Sequence, residues 1–299
     1  MSSKKLFEED GPIFMGAKRN KTNCTIGIFG VNYDGTTSFK PGARFGPDAI
    51  RKFSQSLETY CPHLNKDLER INYCDFGSLK IDLDETKNIV KKVHLGTNHL
   101  LMNDLKPLVL GGEHSITTGV IKGLVQKFPN LIIIQLDAHA DLRKKYLNNI
   151  HSHACTMQRC MEILPTKKIL QLGIRSGTRN EFEEMHKNNQ LVSFKTGNSC
   201  ELFKKKLSQF KEFPIYLTID LDWFDPSVLP GTGTPEPGGF FWHDFEKVIR
   251  VLQDYNIVGT DIVELSPDID QSGISSVLAA KVARTLIMTL DKAFQKDLI

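Results

Sequence analysis

A cluster of potential metal ligands follows one apolar run of the chain. Residues 131–141 read LIIIQLDAHAD, so six mostly apolar residues lead directly into Asp137, His139 and Asp141. Alternate residues of an extended strand lie on the same side, and this spacing therefore places the three side chains together. Two carboxylates and an imidazole directed at one point would repel and lose hydration without a cation between them. The pattern predicts a metal site at the end of a buried strand, with a solvated surface strand as the alternative.

Three further segments repeat this arrangement of an apolar run that ends in a polar side chain. Asp220 and Asp222 end the segment IYLTIDLD (215–222), His114 follows LVLGGE, and Glu264 ends IVGTDIVE. Open α/β sheets bind ligands beyond the carboxyl ends of their strands. We therefore expect these side chains to meet at one edge of a sheet.

The number of donors predicts two metal ions rather than one. The two histidines and the four aspartates exceed the three or four protein ligands of an ordinary zinc site. Such a set fits a pair of divalent cations about 3.5–4 Å apart with a bridging water or hydroxide. Because most donors are oxygens, the set favours Mn²⁺, while Fe, Co or Ni could bind through the histidines. The predicted ligands of two Mn²⁺ ions per chain are His114, Asp137, His139, Asp141, Asp220 and Asp222.

The segments around these residues predict an α/β fold. Short apolar segments alternate with amphipathic ones along the chain, which is typical of a parallel sheet with helices on both faces. We predict a single three-layer α/β/α domain over residues 23–299, preceded by a polar N-terminal arm at residues 1–22. The sheet should have about eight strands, within residues 24–30, 71–77, 108–115, 131–141, 167–175, 191–196, 215–222 and 257–265. A helix from Ile274 to Gln295 should follow the last strand.

Composition excludes several classes of function. The chain has 299 residues and a net charge of +3, with charges of both signs interspersed, so no nucleic-acid partner is expected. No segment approaches the roughly 18 apolar residues of a membrane helix, and the N-terminus lacks the apolar core of a signal peptide. The six cysteines include no C-x-x-C pair. We expect a reduced, cytoplasmic protein with no membrane partner.

Several motifs, in their joint order and spacing, resemble those of the ureohydrolase family, which contains arginases and agmatinases. The agmatinases are the most similar group, and the resemblance extends from about residue 40 to residue 275. The matching motifs are GARFGPDAIR (42–51), GGEHS (111–115), DAHAD (137–141), DLDWFDPS (220–227), PGTGTPEPGG (230–239) and the VEL around Glu264. One departure is Glu113, where many relatives have Asp.

The resemblance implies an arginase-like fold, a ureohydrolase catalytic domain over residues 23–299 and a role for each candidate residue. Asp137 and Asp220 would contact both manganese ions. His114 and Asp141 would complete the ligands of one ion, and His139 and Asp222 those of the other. The implied catalytic residues are Glu264, which would hold a substrate guanidinium, His153, near the scissile group, and Asp141, which would relay a proton. The family also implies a homo-oligomer, either a trimer or a hexamer.

The function that the resemblance implies is hydrolysis of agmatine to putrescine and urea, a step of arginine metabolism and polyamine biosynthesis. An arginase would need donors for an α-carboxylate, and the family's Ser/Asn-bearing stretch is not recognisable in residues 142–154. Asn148, Asn149, Arg143 and Lys144 keep the arginase function open. Hydrolysis of 4-guanidinobutanoate or guanidine, a mononuclear zinc deacetylase and an inactive scaffold also stay open as hypotheses.

Overall fold

A parallel sheet of eight strands, extended by one antiparallel strand, forms the middle layer of the protein in the computed structural model. The structure describes residues 6–8, 10–19, 23–81, 85–164, 168–192 and 199–291. In chain order, the strands are β1 (Phe7–Glu8), β2 (Ile26–Gly30), β3 (Tyr60–Cys61), β4 (Lys66–Asp67), β5 (Tyr73–Leu79), β6 (Lys106–Leu110), β7 (Ile132–Leu136), β8 (Ile169–Leu172), β9 (Leu191–Val192), β10 (Pro214–Asp220) and β11 (Asn256–Val263). The sheet order is β1-β5-β2-β6-β11-β10-β7-β8-β9, and β3 and β4 form a separate pair.

Helices cover both faces of this sheet. They are α1 (Gly46–Ser54), α2 (Thr86–Leu101), α3 (Thr117–Lys127), α4 (Thr156–Ile163), α5 (Arg179–Lys187), α6 (Ser199–Leu207), α7 (Trp242–Leu252) and α8 (Ile274–Leu290). Two hydrophobic cores result, and β7 contributes to both, because Ile132 and Ile134 lie in one core while Ile133 lies in the other. A strand buried on both faces needs apolar residues without alternation, which explains why β7 is apolar at every position except Gln135. The predicted three-layer α/β/α fold is confirmed.

The eight parallel strands correspond to the eight predicted segments. Of the predicted strand at 191–196, Leu191 and Val192 are described as β9, and residues 193–198 lie outside the described part. The last helix ends at Leu290, and residues 292–299 are likewise outside it. Strand β1 was not predicted, because two residues carry no periodic signal.

The N-terminal residues contact the domain. Phe7 pairs with Leu79 of β5 in an antiparallel bridge, and Phe14 is fully buried in one of the two cores. The division between an arm and a domain at residue 23 stays a prediction. Within the described residues, no helix is both long and apolar enough to span a membrane.

Candidate metal centre and its cavity

The predicted ligands follow four strands that are neighbours in the middle of the sheet. Strands β6, β11, β10 and β7 are adjacent and parallel, so their carboxyl ends lie at one edge. His114 lies just beyond β6, and the Asp-His-Asp residues of 137–141 lie beyond β7. Asp220 is the last residue of β10, and Glu264 follows β11 directly. The topology therefore brings together side chains that are up to 150 positions apart in the sequence.

Two compact groups of donors lie at this edge. The first group contains His114, Asp137 and Asp141, and the second contains His139, Asp137 and Asp222. Within each group, one ligand atom per residue lies within 4.8 Å of the others. Asp137 belongs to both groups, as expected for a carboxylate shared between two ions. Asp220, also predicted to be shared, belongs to neither compact group.

The first group surrounds Nδ1 of His114. This nitrogen lies 3.0 Å from Asp141 Oδ2, 3.1 Å from Asp137 Oδ2 and 3.4 Å from Asp220 Oδ2. It is buried and has no hydrogen-bond partner among the described residues. The other ring nitrogen, Nε2, lies 2.9 Å from Thr218 Oγ1. An imidazole held on one side, with its second nitrogen directed at three carboxylates, fits a cation ligand.

The second group surrounds His139, whose Nδ1 lies 2.9 Å from Asp222 Oδ2 and 3.8 Å from Asp137 Oδ1. Backbone amides help to fix the two carboxylates. Asp222 Oδ1 accepts from the N–H of Ala138, and Asp137 Oδ1 accepts from the N–H of His139. Gln135 also donates to Asp137 Oδ2 at 2.6 Å. These contacts orient the carboxylates toward one another, an arrangement that is unfavourable without positive charge between them.

The raised pKa values of two aspartates and two histidines in these groups indicate that the site favours positive charge. Burial and the nearby Asp222 raise the pKa of Asp137 to about 7, and burial and the neighbouring carboxylates raise that of Asp220 well above its usual range. Burial alone would lower the pKa of the two imidazoles, but the surrounding aspartates raise that of His139 to about 11 and that of His114 well above its ordinary value. Protons compensate the charge where cations would otherwise do so, and the residues present therefore fit a metal pair.

Two of the site residues have unusual backbone conformations. Asp141 has φ of 53° and Glu264 has φ of 66°, so both lie in the left-handed region that side chains other than glycine rarely adopt. Such conformations cost roughly 1–3 kcal/mol each and are concentrated at functional sites. Glu264 is further held by accepting the backbone N–H of His114 on Oε1 at 2.7 Å.

A cavity of about 250 Å³ opens beside these donors. The predicted catalytic residues His153, Asp141 and Glu264 all line it. So do His139, Asp220 and Asp222, whereas the lining does not include His114 or Asp137. The cavity is thus bounded by acidic groups on one side and by the loop that carries His153 on another. A small cationic ligand is the kind of molecule that fits such a lining.

A larger cavity, of about 840 Å³, lies elsewhere in the structure. Its lining includes Tyr33, Arg44, Asn149 and His151 but none of the eight predicted site residues. Because chemistry depends on the converging donors rather than on volume, the smaller cavity is the candidate active site.

Two buried polar residues near the candidate metal centre, Gln135 and Asp261, were not predicted from the sequence. Gln135 lies in the buried strand β7, where it bonds to Asp137 and accepts from Gln171. Asp261 is buried in β11 and accepts from Thr117 and Tyr216, and burial raises the pKa of its carboxyl while the nearby His114 lowers it. A polar residue within a buried apolar run is the one sequence signal of such a role, since it must find a partner in the fold.

Comparison with known proteins gives a consistent result. A sequence model of the Arginase family matches residues 24–289. An agmatinase from Bacillus cereus is 34% identical over 283 residues, which cover 93% of this chain and 96% of that protein. A mitochondrial guanidino acid hydrolase from Homo sapiens is 30% identical, with 89% and 78% covered. The crystal structure of the agmatine ureohydrolase of Thermoplasma volcanium has a TM-score of 0.81 and 30% identity, with 92% of each chain covered.

Proposed function

Because this chain belongs to the arginase family of hydrolases, we propose that it hydrolyses agmatine to putrescine and urea with two manganese ions. The observation that carries the proposal is the acidic cavity of Asp141, Asp220, Asp222 and Glu264 beside two groups of metal-ligand type. Such a lining suits a substrate whose reacting group is a delocalised cation.

The proposed metal ligands are the two imidazoles and four aspartates of the centre. One ion would be held by His114, Asp137, Asp141 and Asp220, and the other by His139, Asp137, Asp220 and Asp222. Two bound divalent cations lower the pKa of water so that hydroxide is available near neutral pH. Oxygen-rich donors favour manganese among the first-row metals.

Glu264 is proposed to bind the substrate guanidinium. Its Oε1 already accepts from the His114 N–H, which orients the carboxylate in the lining of the cavity, and Oε2 would bind the ligand. Burial and the nearby Glu113 raise the pKa of Glu264 well above its usual value. A cationic guanidinium would favour its ionised form, and paired N–H···O bonds would orient the central carbon.

The reaction adds the oxygen of water to the guanidinium carbon and breaks the bond from that carbon to the alkyl nitrogen. Urea and a primary amine are the products. The leaving nitrogen must gain a proton as the bond breaks, because an amine anion is too basic to be expelled. Asp141 and His153 both line the cavity and are proposed to carry that proton. Burial lowers the pKa of His153, which keeps its ring neutral near pH 7 and able to accept a proton.

Agmatine is preferred to arginine because Arg143 is the single lysine or arginine among the described lining residues of the cavity. Arg143 lines the cavity, but its guanidinium stacks on Tyr146 at 4.6 Å and lies 4.0 Å from Glu181. Asn148 and Asn149, which kept the arginase function open, line the larger cavity instead. A ligand with an apolar chain and an amine needs no anion site.

The test is a substrate panel on the manganese-loaded protein, with urea release as the readout. We expect kcat/KM for agmatine to exceed that for arginine by at least about tenfold, equivalent to ~1.4 kcal/mol of transition-state binding. Equal or better turnover of arginine, 4-guanidinobutanoate or guanidine would reject agmatine and retain an amidinohydrolase. Two metal ions per chain would also exclude a mononuclear zinc enzyme.

The chain's assembly, inferred from the resemblance, and its location, inferred from the composition, stay proposals. We propose a homo-oligomer, a trimer or a hexamer, in the cytoplasm. Sedimentation equilibrium of the purified protein measures the number of chains directly, and a monomer would reject the proposed assembly.

A further inference from the structure

The loop after β2 contacts both the turn that bears His114 and the loop that bears His153. This loop, residues 31–40, contains three adjacent hydroxyl residues, Thr36, Thr37 and Ser38, and carries none of the proposed metal ligands. Thr36 in this loop contacts both Glu113 and His153, and His153 is 117 residues from Thr36 in the sequence. The arrangement assigns this loop a task that the proposed function does not yet include.

Glu113 fixes the hydroxyl of Thr36. Its side chain is fully buried, and it accepts from the Thr36 N–H on Oε2 and from Thr36 Oγ1 on Oε1, both at 2.6 Å. Ser115 donates its hydroxyl to Oε1 as well. The two oxygens of Glu113 thus accept one backbone N–H and two hydroxyls, and the single hydroxyl proton of Thr36 is directed at Oε1.

The direction of that proton determines what Thr36 can do toward His153. Oγ1 of Thr36 accepts from the His153 backbone N–H at 3.0 Å and lies 3.3 Å from Nδ1 of the ring. With its own proton engaged, Thr36 can bond to the ring only if Nδ1 carries a hydrogen. The unprotonated nitrogen of the neutral ring is then Nε2, which lies 3.4 Å from Ser38 Oγ.

We infer that Thr36, anchored by Glu113, is a positioning residue that holds His153 as the Nδ1–H tautomer, with the basic Nε2 available for proton transfer. The inference rests on the proposed function in giving His153 that task. Thr36 acts through the histidine rather than on the substrate. It therefore influences the turnover step and not the binding of the guanidinium.

The kinetic test compares threonine variants of the manganese-loaded protein with agmatine. We expect Thr36→Val to lower kcat about tenfold with KM and metal content unchanged, and Thr36→Ser, which keeps the hydroxyl, to restore the rate. The matched control is Thr37→Val, since the Thr37 hydroxyl is buried without a hydrogen-bond partner in the described part of the chain. In a His153→Ala background, Thr36→Val should have no further effect. A wild-type rate for Thr36→Val, or an equal loss in both backgrounds, would overturn the inference.

A second measurement does not depend on activity. Nitrogen-15 NMR of histidine-labelled, manganese-free protein reports which ring nitrogen bears the proton, and the His153 signals are assigned from their loss in His153→Ala. We expect Nδ1–H in the wild type and in Thr37→Val, and a mixture of tautomers in Thr36→Val and Glu113→Gln. An Nε2–H ring in the wild type would refute the inference. If the wild type hydrolyses no guanidino compound, the proposed function fails while the NMR still decides the role of Thr36.

Discussion

Two histidines lie two positions apart in one loop and meet different surroundings. His153 lines the cavity beside Asp141 and Glu264, and its ring packs edge-on against Tyr146 at 6.1 Å. His151 lines the larger cavity, away from the candidate metal centre. Since both side chains are imidazoles on the same short segment, they form a natural pair for separating a catalytic role from a structural one.

His153→Ala should lower kcat for agmatine roughly 10²–10⁴-fold if the ring transfers a proton in the reaction. Metal content should stay at two ions per chain, because His153 belongs to neither compact group of donors. The measurement is urea release combined with metal analysis of the same sample. His151→Ala is the control, and a severe loss of rate in that variant, with His153→Ala unaffected, would exchange the proposed roles.

The residues of the site differ in how far the sequence could predict them. Asp137, His139 and Asp141 directly follow an apolar run, and this pattern identified them as ligands although the strand itself ends at Leu136. Thr36 has no such signal, because its bond to Glu113 joins positions 77 apart in the sequence. Contacts between distant loops depend on the finished fold. Patterns therefore predict the groups of donors better than the residues that orient them.

At the scale of elements, the sheet was predictable because each of its parallel strands is a short apolar segment between turns or amphipathic helices. Strand order was not predicted, since periodicity contains no information about which strands are neighbours. The site could still be predicted without the strand order, because open α/β sheets bind ligands beyond the carboxyl ends of their strands. It was sufficient because all four site-bearing strands are parallel and adjacent in the sheet.

Helix α1 is joined to strand β5 by a buried ion pair. Arg51 lies within the GARFGPDAIR motif, and its Nε and one terminal nitrogen each donate to Asp75 at 2.9 Å. The same guanidinium donates to Ser78 Oγ and to the Gly77 carbonyl. Arg51 is 1% exposed and Asp75 is fully buried. This motif residue therefore holds a helix on the sheet, away from the cavity.

Arg51→Met should lower the free energy of unfolding by roughly 3–5 kcal/mol, because it leaves the Asp75 carboxylate buried without its partner. Adding Asp75→Asn should recover part of the loss, since the unpaired charge is then removed. Denaturant unfolding measures both values. Asp104→Asn, which removes the exposed pair with Lys127, is the control and should cost less than about 1 kcal/mol. A loss as small for Arg51→Met would show that the buried pair contributes no more than the exposed one.

At the scale of the whole molecule, charge is distributed unevenly. The net charge is +3, yet Asp137, Asp141, Asp220, Asp222 and Glu264 are all buried at one edge of the sheet. Such a concentration of carboxylates opposes folding unless cations or protons compensate it. The stability of the protein should therefore depend on metal and on pH together.

The direction of the pH effect follows from the raised pKa values. Burial raises the pKa of Asp137 from 3.8 to about 7, so the folded protein holds a proton that the unfolded chain releases. A folded-state pKa above the unfolded one contributes stability that is complete below the unfolded value and is lost as the pH rises through the folded value. Burial raises the pKa of Asp220 in the same direction. The metal-free protein should lose stability between about pH 4 and pH 7 from these groups.

Manganese should reverse that loss, because metal binding requires the deprotonated carboxylates. We expect manganese to raise the Tm by several degrees at about pH 7.5 and by clearly less at about pH 5.5. Manganese at a hundredfold excess over Kd stabilises the folded protein by about 2.7 kcal/mol per site. Differential scanning calorimetry with and without manganese measures this rise in Tm.

Asp137→Asn is the control, since its amide neither titrates nor serves as a charged bridge. This variant should abolish urea release, bind fewer ions and show little increase in Tm at either pH. An active variant that retains two ions per chain would remove Asp137 from the centre. A manganese effect in the wild type that is independent of pH would separate metal binding from these carboxylates.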